Sequence, residues 1–166
     1  MRQKGFTFIE LLLVMAVSGV LLVGAVLSIQ QVAFGTSRSN SQVVALTDLD
    51  HAALLIKKDL MMTQFTPDLT DGDPVPQSSV TLTWIDYSSF VSDNQSYHSS
   101  SYNLTGTELW RNYDGTVRIA GRHITSVGFT RNGRVINVVI TAAGPGAIEQ
   151  SETVEFSGYM RAEEVE

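Results

Sequence analysis

The chain has 166 residues, of which 43% are hydrophobic and 17% are charged. This composition excludes an intrinsically disordered chain, and the length suits one compact domain. The net charge of −6 argues against a dedicated nucleic-acid binder, and the lack of cysteine excludes disulfides and thiolate chemistry. The apolar residues are unevenly distributed, because residues 6–29 hold 18 of them in 24 positions with a single charged residue, Glu10.

The first predicted element is a helix over residues 6–29 that can span a membrane. At ~1.5 Å per residue it is about 36 Å long, against about 30 Å for the hydrocarbon core. Arg2 and Lys4 precede it and the next basic residue is Arg38. The positive-inside rule therefore predicts a cytoplasmic N-terminus and an extracytoplasmic C-terminal domain. The run is too long for an ordinary signal peptide, and a plain single-pass anchor does not explain the costly carboxylate of Glu10.

The segment around this carboxylate resembles a processing motif. Type IV prepilins and type II secretion pseudopilins have leaders and first helical turns similar to Lys4-Gly5-Phe6-Thr7-Phe8-Ile9-Glu10-Leu11-Leu12-Leu13-Val14. The resemblance implies that a prepilin peptidase removes residues 1–5 by cutting between Gly5 and Phe6, and that Phe6 becomes N-methylated. It also implies an assembly role for Glu10, whose carboxylate would pair with a terminal amine in the apolar core of a filament and enforce axial register.

The helix is predicted to continue over residues 30–66 as a soluble amphipathic segment that ends near Gln64, because Pro67 stops it. An apolar stripe predicts the face that packs on a sheet, and the charged residues lie mostly off that stripe. The stripe consists of Val43, Leu46, Leu49, Ala53, Ile56 and Leu60, and the charged residues are Asp48, Asp50, Lys57, Lys58 and Asp59.

Residues 67–166 are predicted to form an extracytoplasmic β domain. An alternating pattern predicts a strand whose apolar face carries Val80, Leu82 and Trp84, and a further strand is expected over residues 153–159. The predicted fold class is α+β. A long N-terminal helix, membrane-spanning in its first half, packs through its second half on an antiparallel β-sheet meander.

Three glycine-containing dipeptides predict hairpins in this domain: Thr105-Gly106, Asp114-Gly115 and Asn132-Gly133, the last with a type I′ turn. The predicted pairs are Tyr102 with Leu109, Trp110 with Ile119, Arg131 with Arg134, Phe129 with Ile136, and Val127 with Val138. The first two pairs place Leu109 and Trp110 on opposite faces, so the sequence leaves the register there open.

The outline most resembles minor pseudopilins of the J class. Major type IV pilins commonly carry a C-terminal cysteine pair, which this chain lacks, and this favours a minor subunit. The resemblance implies a structural subunit of a type II secretion pseudopilus or type IV pilus, acting in initiation or at the tip, and no cofactor. Its partners would be prepilin peptidase, other pilins or pseudopilins, and inner-membrane lipid before assembly. Its final location would be a periplasmic pseudopilus or a cell-surface pilus.

No residue pattern indicates an enzyme or a strong metal site. Asp68, Asp71 and Asp73 form a weak calcium candidate, since some pseudopilins bind calcium in a loop, but their spacing departs from the EF-hand and suits a turn. The histidines, which are His51, His98 and His123, are scattered and are interpreted as surface or capping residues.

Two alternatives to a structural subunit stay open. One is an uncleaved single-pass membrane protein. The other is a binding subunit displayed on a pilus, either an adhesin or a DNA-uptake protein. The DNA-uptake alternative would need a local basic patch despite the acidic net charge. The candidate residues for that patch are Arg118, Arg122, Arg131 and Arg134.

Overall fold

The computed structural model describes residues 7–86, 96–145 and 151–162 and confirms the α+β architecture. The chain divides into two compact units, Met1–Ser39 and Asn40–Glu166. The predicted leader, residues 1–5, and Phe6 lie outside the described residues.

The helix, α1, is Phe8–Met62 and ends two residues before the predicted end near Gln64. The physical reason is a change of hydrogen-bond acceptor. The N–H of Thr63 still donates to the carbonyl of Asp59, whereas the N–H groups of Gln64 and Phe65 both donate to the carbonyl of Thr83. The chain therefore leaves the helix to pair with the edge of a sheet, five residues before the boundary set by Pro67.

Seven antiparallel strands follow α1 in the described residues. They are β1 Ser79–Asp86, β2 Ser96–Thr105, β3 Glu108–Tyr113, β4 Thr116–Gly121, β5 Ile124–Asn132, β6 Val135–Ala143 and β7 Ser151–Tyr159. Consecutive strands are neighbours, as in the predicted meander. The strands nevertheless form two sheets, β1-β2-β3-β4 (sheet 1) and β5-β6-β7 (sheet 2), because no ladder joins β4 to β5 in the part of the chain described.

The core of the second unit lies between α1 and both sheets. Val80, Leu82 and Trp84 of β1 are buried, as the alternation predicted. The helix stripe differs from the prediction at its start, since Val43 is 57% exposed and Leu46 is 39% exposed. Two successive steps of three residues rotate a side chain by about 120° around a helix, so Val43 cannot share a face with Leu49. The buried helix positions are Ser41, Ala45, Leu49, Ala52, Ala53, Ile56, Asp59 and Leu60.

The hairpin at Asp114-Gly115 has the predicted register, with Trp110 opposite Ile119. Both turn residues have positive φ, 46° and 85°, which is the type I′ geometry. The strand register at Leu109, which the sequence left undecided, contains a β-bulge. Leu109 pairs with Gly121, so an extra residue of β4 is accommodated between Leu109 and Trp110 as a bulge.

The registers predicted for the other two hairpins are wrong, because each two-residue turn lies one residue further along the chain than predicted. The central residues are Gly106-Thr107 and Gly133-Arg134, each with a positive φ at glycine only, which fits a type II′ turn. The same residues still face the core. Shifting the turn by one residue moves the cross-strand partner of each residue by two positions, and residues two apart in a strand share a face. The observed pairs are Tyr102 with Arg111, Leu104 with Leu109, Arg131 with Ile136, Phe129 with Val138, and Val127 with Ile140.

Candidate assembly site

A reciprocal cap starts α1. The carboxylate oxygen Oε2 of Glu10 accepts hydrogen bonds from the backbone N–H and the hydroxyl of Thr7, both at 3.0 Å. In return, the N–H of Glu10 donates to the hydroxyl oxygen of Thr7 at 3.4 Å. This is a capping box, in which a threonine and a glutamate three residues later satisfy N–H groups that the first turn leaves unpaired. Sequence reasoning missed Thr7, although the Thr-x-x-Glu spacing before an apolar run could have found it.

The cap stands at the start of a long apolar surface. Every residue from Thr7 to Asn40 is exposed, including Phe8 and Ile9 at 76% each. By length and composition α1 can cross a membrane. The other two predicted residues of this site, Gly5 and Phe6, lie outside the described residues. A lone capped carboxylate at one end of an otherwise apolar, exposed helix suits a segment that is buried by lipid or by other chains.

Comparison with known proteins bears on this segment. The prokaryotic N-terminal methylation motif matches residues 1–26. In this segment the chain is similar to type IV pilin-like proteins. The motif implies processing by prepilin peptidase and assembly with other pilins, and its family is structural rather than enzymatic. No curated protein and no solved structure is significantly similar to the chain.

The second unit of the chain contains a buried ion pair that the sequence did not predict. The carboxylate of Asp59 is completely buried and accepts four hydrogen bonds. Its Oδ2 is 2.6 Å from the hydroxyls of Ser100 and Tyr102 and 2.8 Å from Nε of Arg111, and its Oδ1 is 2.8 Å from Nη2 of Arg111. The prediction that Asp59 lies among the solvent-facing charges is wrong, because it follows Ile56 by three residues on the buried face.

This cluster fixes the position of the helix on sheet 1 and has no reactive group. Burial, together with the charge of Asp59 and its hydrogen bond, raises the pKa of Tyr102, so its hydroxyl stays protonated and donates. Burial alone would lower the pKa of Arg111, but the hydrogen bond and charge of Asp59 outweigh that effect and the pKa is raised. The partners of Asp59 lie 41–52 residues away, and no local pattern could have identified them.

Each of the three histidines contacts a different group. His51 is exposed, and its Nδ1 lies 2.8 Å from the carbonyl oxygen of Ala120. His123 is half-buried, with Nδ1 2.6 Å from a carboxylate oxygen of Asp48. His98 lies in β2, where its Nδ1 is 2.5 Å from a carboxylate oxygen of Asp114. The first two interactions join α1 to the end of β4, and the third joins β2 to the β3–β4 turn.

The three aspartates proposed as a weak calcium candidate do not converge. Asp71 accepts a hydrogen bond from the N–H of Gly133, and Asp73 accepts one from the N–H of Val75 at 2.9 Å. In the part of the chain that the structure describes, no group of three or more potential ligands could hold a metal ion. Asp71 instead joins the segment before β1 to the β5–β6 turn, and Asp73 closes a local turn.

The four arginines of the alternative DNA-binding patch lie at two ends of β5. Arg118 and Arg122 are in β4 and just after it, whereas Arg131 and Arg134 are at the β5–β6 turn. The nine steps along the chain from Arg122 to Arg131 cover about 30 Å when the chain is extended. Arg131 and Arg134 also donate to backbone carbonyls, those of Gly133 and Met160. The structure does not bring these side chains into one patch.

Proposed function

We propose that the chain is a minor pilin-like structural subunit, most similar in role to minor pseudopilins of the J class. Prepilin peptidase would remove residues 1–5, and the new N-terminal Phe6 would be methylated. The subunit would then enter a type II secretion pseudopilus or a type IV pilus, in initiation or at the tip. The observation that carries this proposal is the capped carboxylate of Glu10, at the start of an exposed apolar helix within the methylation motif.

The proposed topology follows from charge and hydropathy. Before assembly the apolar segment spans the inner membrane, with Arg2 and Lys4 on the cytoplasmic side and Asn40–Glu166 outside the cytoplasm. After assembly the same apolar surface is covered by helices of neighbouring subunits, in a periplasmic pseudopilus or a cell-surface pilus. Lipid and protein neighbours are interchangeable here because both exclude water from apolar side chains.

Glu10 supplies the specificity that apolar contacts lack. An apolar helix can slide along its neighbours with little loss, whereas an unpaired buried charge costs several kcal/mol. The terminal amine of a processed subunit, with an ordinary pKa of about 8, is cationic at neutral pH. Pairing of the carboxylate with such an amine would therefore select one axial register.

Processing is tested by intact mass spectrometry of the chain purified from cells with active prepilin peptidase. We expect the mass to lack residues 1–5 and to include one added methyl group on Phe6. A matched Gly5→Leu variant, which changes the cut site alone, should keep the full leader. Recovery of an intact wild-type N-terminus would overturn the processing claim and favour the uncleaved single-pass alternative.

The role of Glu10 is tested by separating its charge from its cap. Glu10→Gln keeps a capping-box side chain but removes the charge, whereas Thr7→Ala removes the two hydrogen bonds made by the Thr7 hydroxyl and keeps both the charge and the bond from the backbone N–H of residue 7. We expect membrane insertion in both variants, loss of filament incorporation for Glu10→Gln, and incorporation near wild type for Thr7→Ala. Pull-down of tagged subunit with sheared filaments measures this. Normal incorporation of Glu10→Gln would remove the register role and leave only the cap.

A further inference from the structure

The β5–β6 turn contains a dipeptide that is chemically reactive by itself. Asn132-Gly133 is the single Asn-Gly pair in the sequence. Because glycine has no side chain, its backbone nitrogen can approach the side-chain carbonyl of the preceding asparagine more closely than a larger residue allows. Asn132 and Gly133 are both exposed, so water and hydroxide reach them. The pair therefore has the composition and the access that spontaneous deamidation requires.

Deamidation of such a pair needs water and no enzyme. The backbone nitrogen of Gly133 loses its proton and attacks Cγ of Asn132, and the new N–Cγ bond closes a five-membered succinimide ring. The bond from Cγ to Nδ2 breaks, and the amide nitrogen takes up a proton and leaves as ammonia. Water then opens the ring. Attack at Cγ gives aspartate, and attack at the backbone carbonyl gives isoaspartate, in which the chain continues through the side chain.

The conformation of the folded turn opposes this reaction. Asn132 is the last residue of β5 and pairs with Val135. In an extended strand the following backbone nitrogen is turned away from the side chain, so the two cannot close a five-membered ring. The turn has to open before Gly133 can attack. The rate then follows the fraction of molecules in which the turn is open.

Hydrogen bonds on both sides of Gly133 hold the turn closed. Its N–H donates to Oδ1 of Asp71 at 2.5 Å, and its carbonyl oxygen accepts from Nε of Arg131 at 2.9 Å. The segment that carries Asp71 is itself attached, because the N–H of Gly72 donates to the carbonyl of Arg131 at 3.0 Å. The first of these bonds acts on the attacking atom. Removal of the Gly133 proton would leave a negative charge beside the Asp71 carboxylate, and like charges disfavour that form.

We propose that Asn132 is a site of spontaneous deamidation and that Asp71 delays the reaction by holding the backbone N–H of Gly133. The hydrogen bond has to break before the nitrogen can attack, so it lowers the fraction of open turn and, with it, the rate. Deamidation adds a negative charge near the Asp71 carboxylate, and isoaspartate also adds a methylene to the backbone between β5 and β6. The inference concerns Asn40–Glu166 and does not depend on the proposed assembly.

The test is the rate of deamidation of the full chain in phosphatidylcholine nanodiscs at mildly alkaline pH. Peptide mapping by mass spectrometry follows the gain of about 1 Da at position 132. A synthetic peptide of residues 127–138 gives the rate without the folded turn. We expect the wild-type chain to react at least about tenfold more slowly than the peptide. Asp71→Ala should raise the rate in the folded chain by about tenfold, because a hydrogen bond to a charged group is lost.

The matched control is Asp73→Ala, which removes a carboxylate two residues away. Asp73 accepts from the N–H of Val75 and not from the turn, so the rate should stay within about twofold of wild type. If Asp71→Ala does not fold, Asp71→Asn decides the matter. Its amide oxygen can still accept from Gly133 but without the charge, and we expect a rate about two- to fivefold above wild type.

Three results would overturn the proposal. If the wild-type chain deamidates as fast as the peptide, the folded turn gives no protection. If Asp71→Ala, or Asp71→Asn in its place, reacts at the rate of wild type or no faster than Asp73→Ala, the hydrogen bond from Gly133 does not control the reaction. If the loss of the Asp71 carboxylate slows the reaction, that carboxylate assists removal of the proton as a general base.

Discussion

Asp59 illustrates how one residue can decide the orientation of a helix on a sheet. Its carboxylate is fully buried, and its partners come from β2 and β3. Rotation of α1 by one residue would turn the carboxylate away from Arg111 and leave a buried carboxylate and a half-buried guanidinium unpaired. An apolar contact would tolerate that change with only a partial loss, so the ion pair adds specificity to a helix face that is otherwise mostly alanine, leucine and isoleucine.

Removing this carboxylate should cost far more than removing an exposed one. Asp59→Ala leaves Arg111, Tyr102 and Ser100 without their shared acceptor, and we expect a loss of about 3–5 kcal/mol in the free energy of unfolding. Asp50→Ala, on the exposed face of the same helix, should change it by less than about 0.5 kcal/mol. Urea unfolding of the full chain in nanodiscs measures both. Equal midpoints for the two variants would contradict the buried role.

The interactions of Asp114 predict that the stability of the fold decreases at acidic pH. Its burial alone would raise the carboxyl pKa, but hydrogen bonds from the N–H of Ser99 and from His98 outweigh this and the pKa is lowered from 3.8. A carboxylate with a lowered folded-state pKa stabilises the fold above its unfolded pKa, and that contribution is lost as pH falls through the folded value.

We therefore expect Asp114→Asn to lower the thermal midpoint at neutral pH. The difference from wild type should begin to shrink as pH falls below the ordinary carboxyl pKa of about 4, and it should disappear below the lower folded-state pKa, where position 114 is uncharged in both chains. Melting curves across the acid range measure the difference. A difference in thermal midpoint that stays constant from neutral to strongly acidic pH would show that the carboxylate charge contributes nothing to stability. A difference that grows in acid would show that the charge destabilises the fold.

At the scale of elements, α1 approaches the chain just after β6 very closely. A Cβ atom placed on Gly144 would lie 1.9 Å from the carbonyl oxygen of Ser41. The obstacle is backbone, so the helix or the end of β6 would have to move. Gly144→Ala should therefore cost at least about 1–3 kcal/mol in the free energy of unfolding.

A glycine in open space is the control for this substitution. Gly35 lies inside α1, and a Cβ there would meet nothing within 4 Å. Gly35→Ala should leave the unfolding of the second unit unchanged or raise helix stability slightly, because alanine has the higher helix propensity. Urea titrations of the two variants provide the comparison. If Gly144→Ala were as stable as Gly35→Ala, the close approach would not constrain the packing.

The elements show where sequence patterns predict structure and where they stop. The alternation in β1 and the Asp114-Gly115 turn predicted faces and pairing correctly, because both signals are local. The dipeptides at Gly106 and Gly133 were ambiguous, since a glycine can be the second residue of a type I′ turn or the first of a type II′ turn. Asp59 escaped prediction because its partners are distant in sequence, and the split between β4 and β5 carries no local signal.

At the scale of the whole molecule, the division at Ser39 separates two environments. Every described residue from Thr7 to Asn40 is exposed, and the buried apolar core begins at Ala45. A chain that starts at Asn40 should therefore fold without lipid, with a cooperative melt close to that of the full chain in nanodiscs. Near-ultraviolet circular dichroism and calorimetry test this. A non-cooperative melt would mean that the apolar segment contributes to the fold of the second unit.

The cap at the start of α1 lowers the cost of placing the Glu10 carboxylate in an apolar environment. A bare carboxylate loses all of its water when it enters an apolar environment, and this loss is what makes such a charge expensive. Glu10 takes two donors with it, both from Thr7. Both residues follow the proposed cut site, so they stay together after the leader is removed. The chain itself thus supplies two of the hydrogen bonds that water would otherwise give the carboxylate. Under the proposed assembly, a subunit would keep these bonds while it moves from lipid into a filament, before its charge has met another chain.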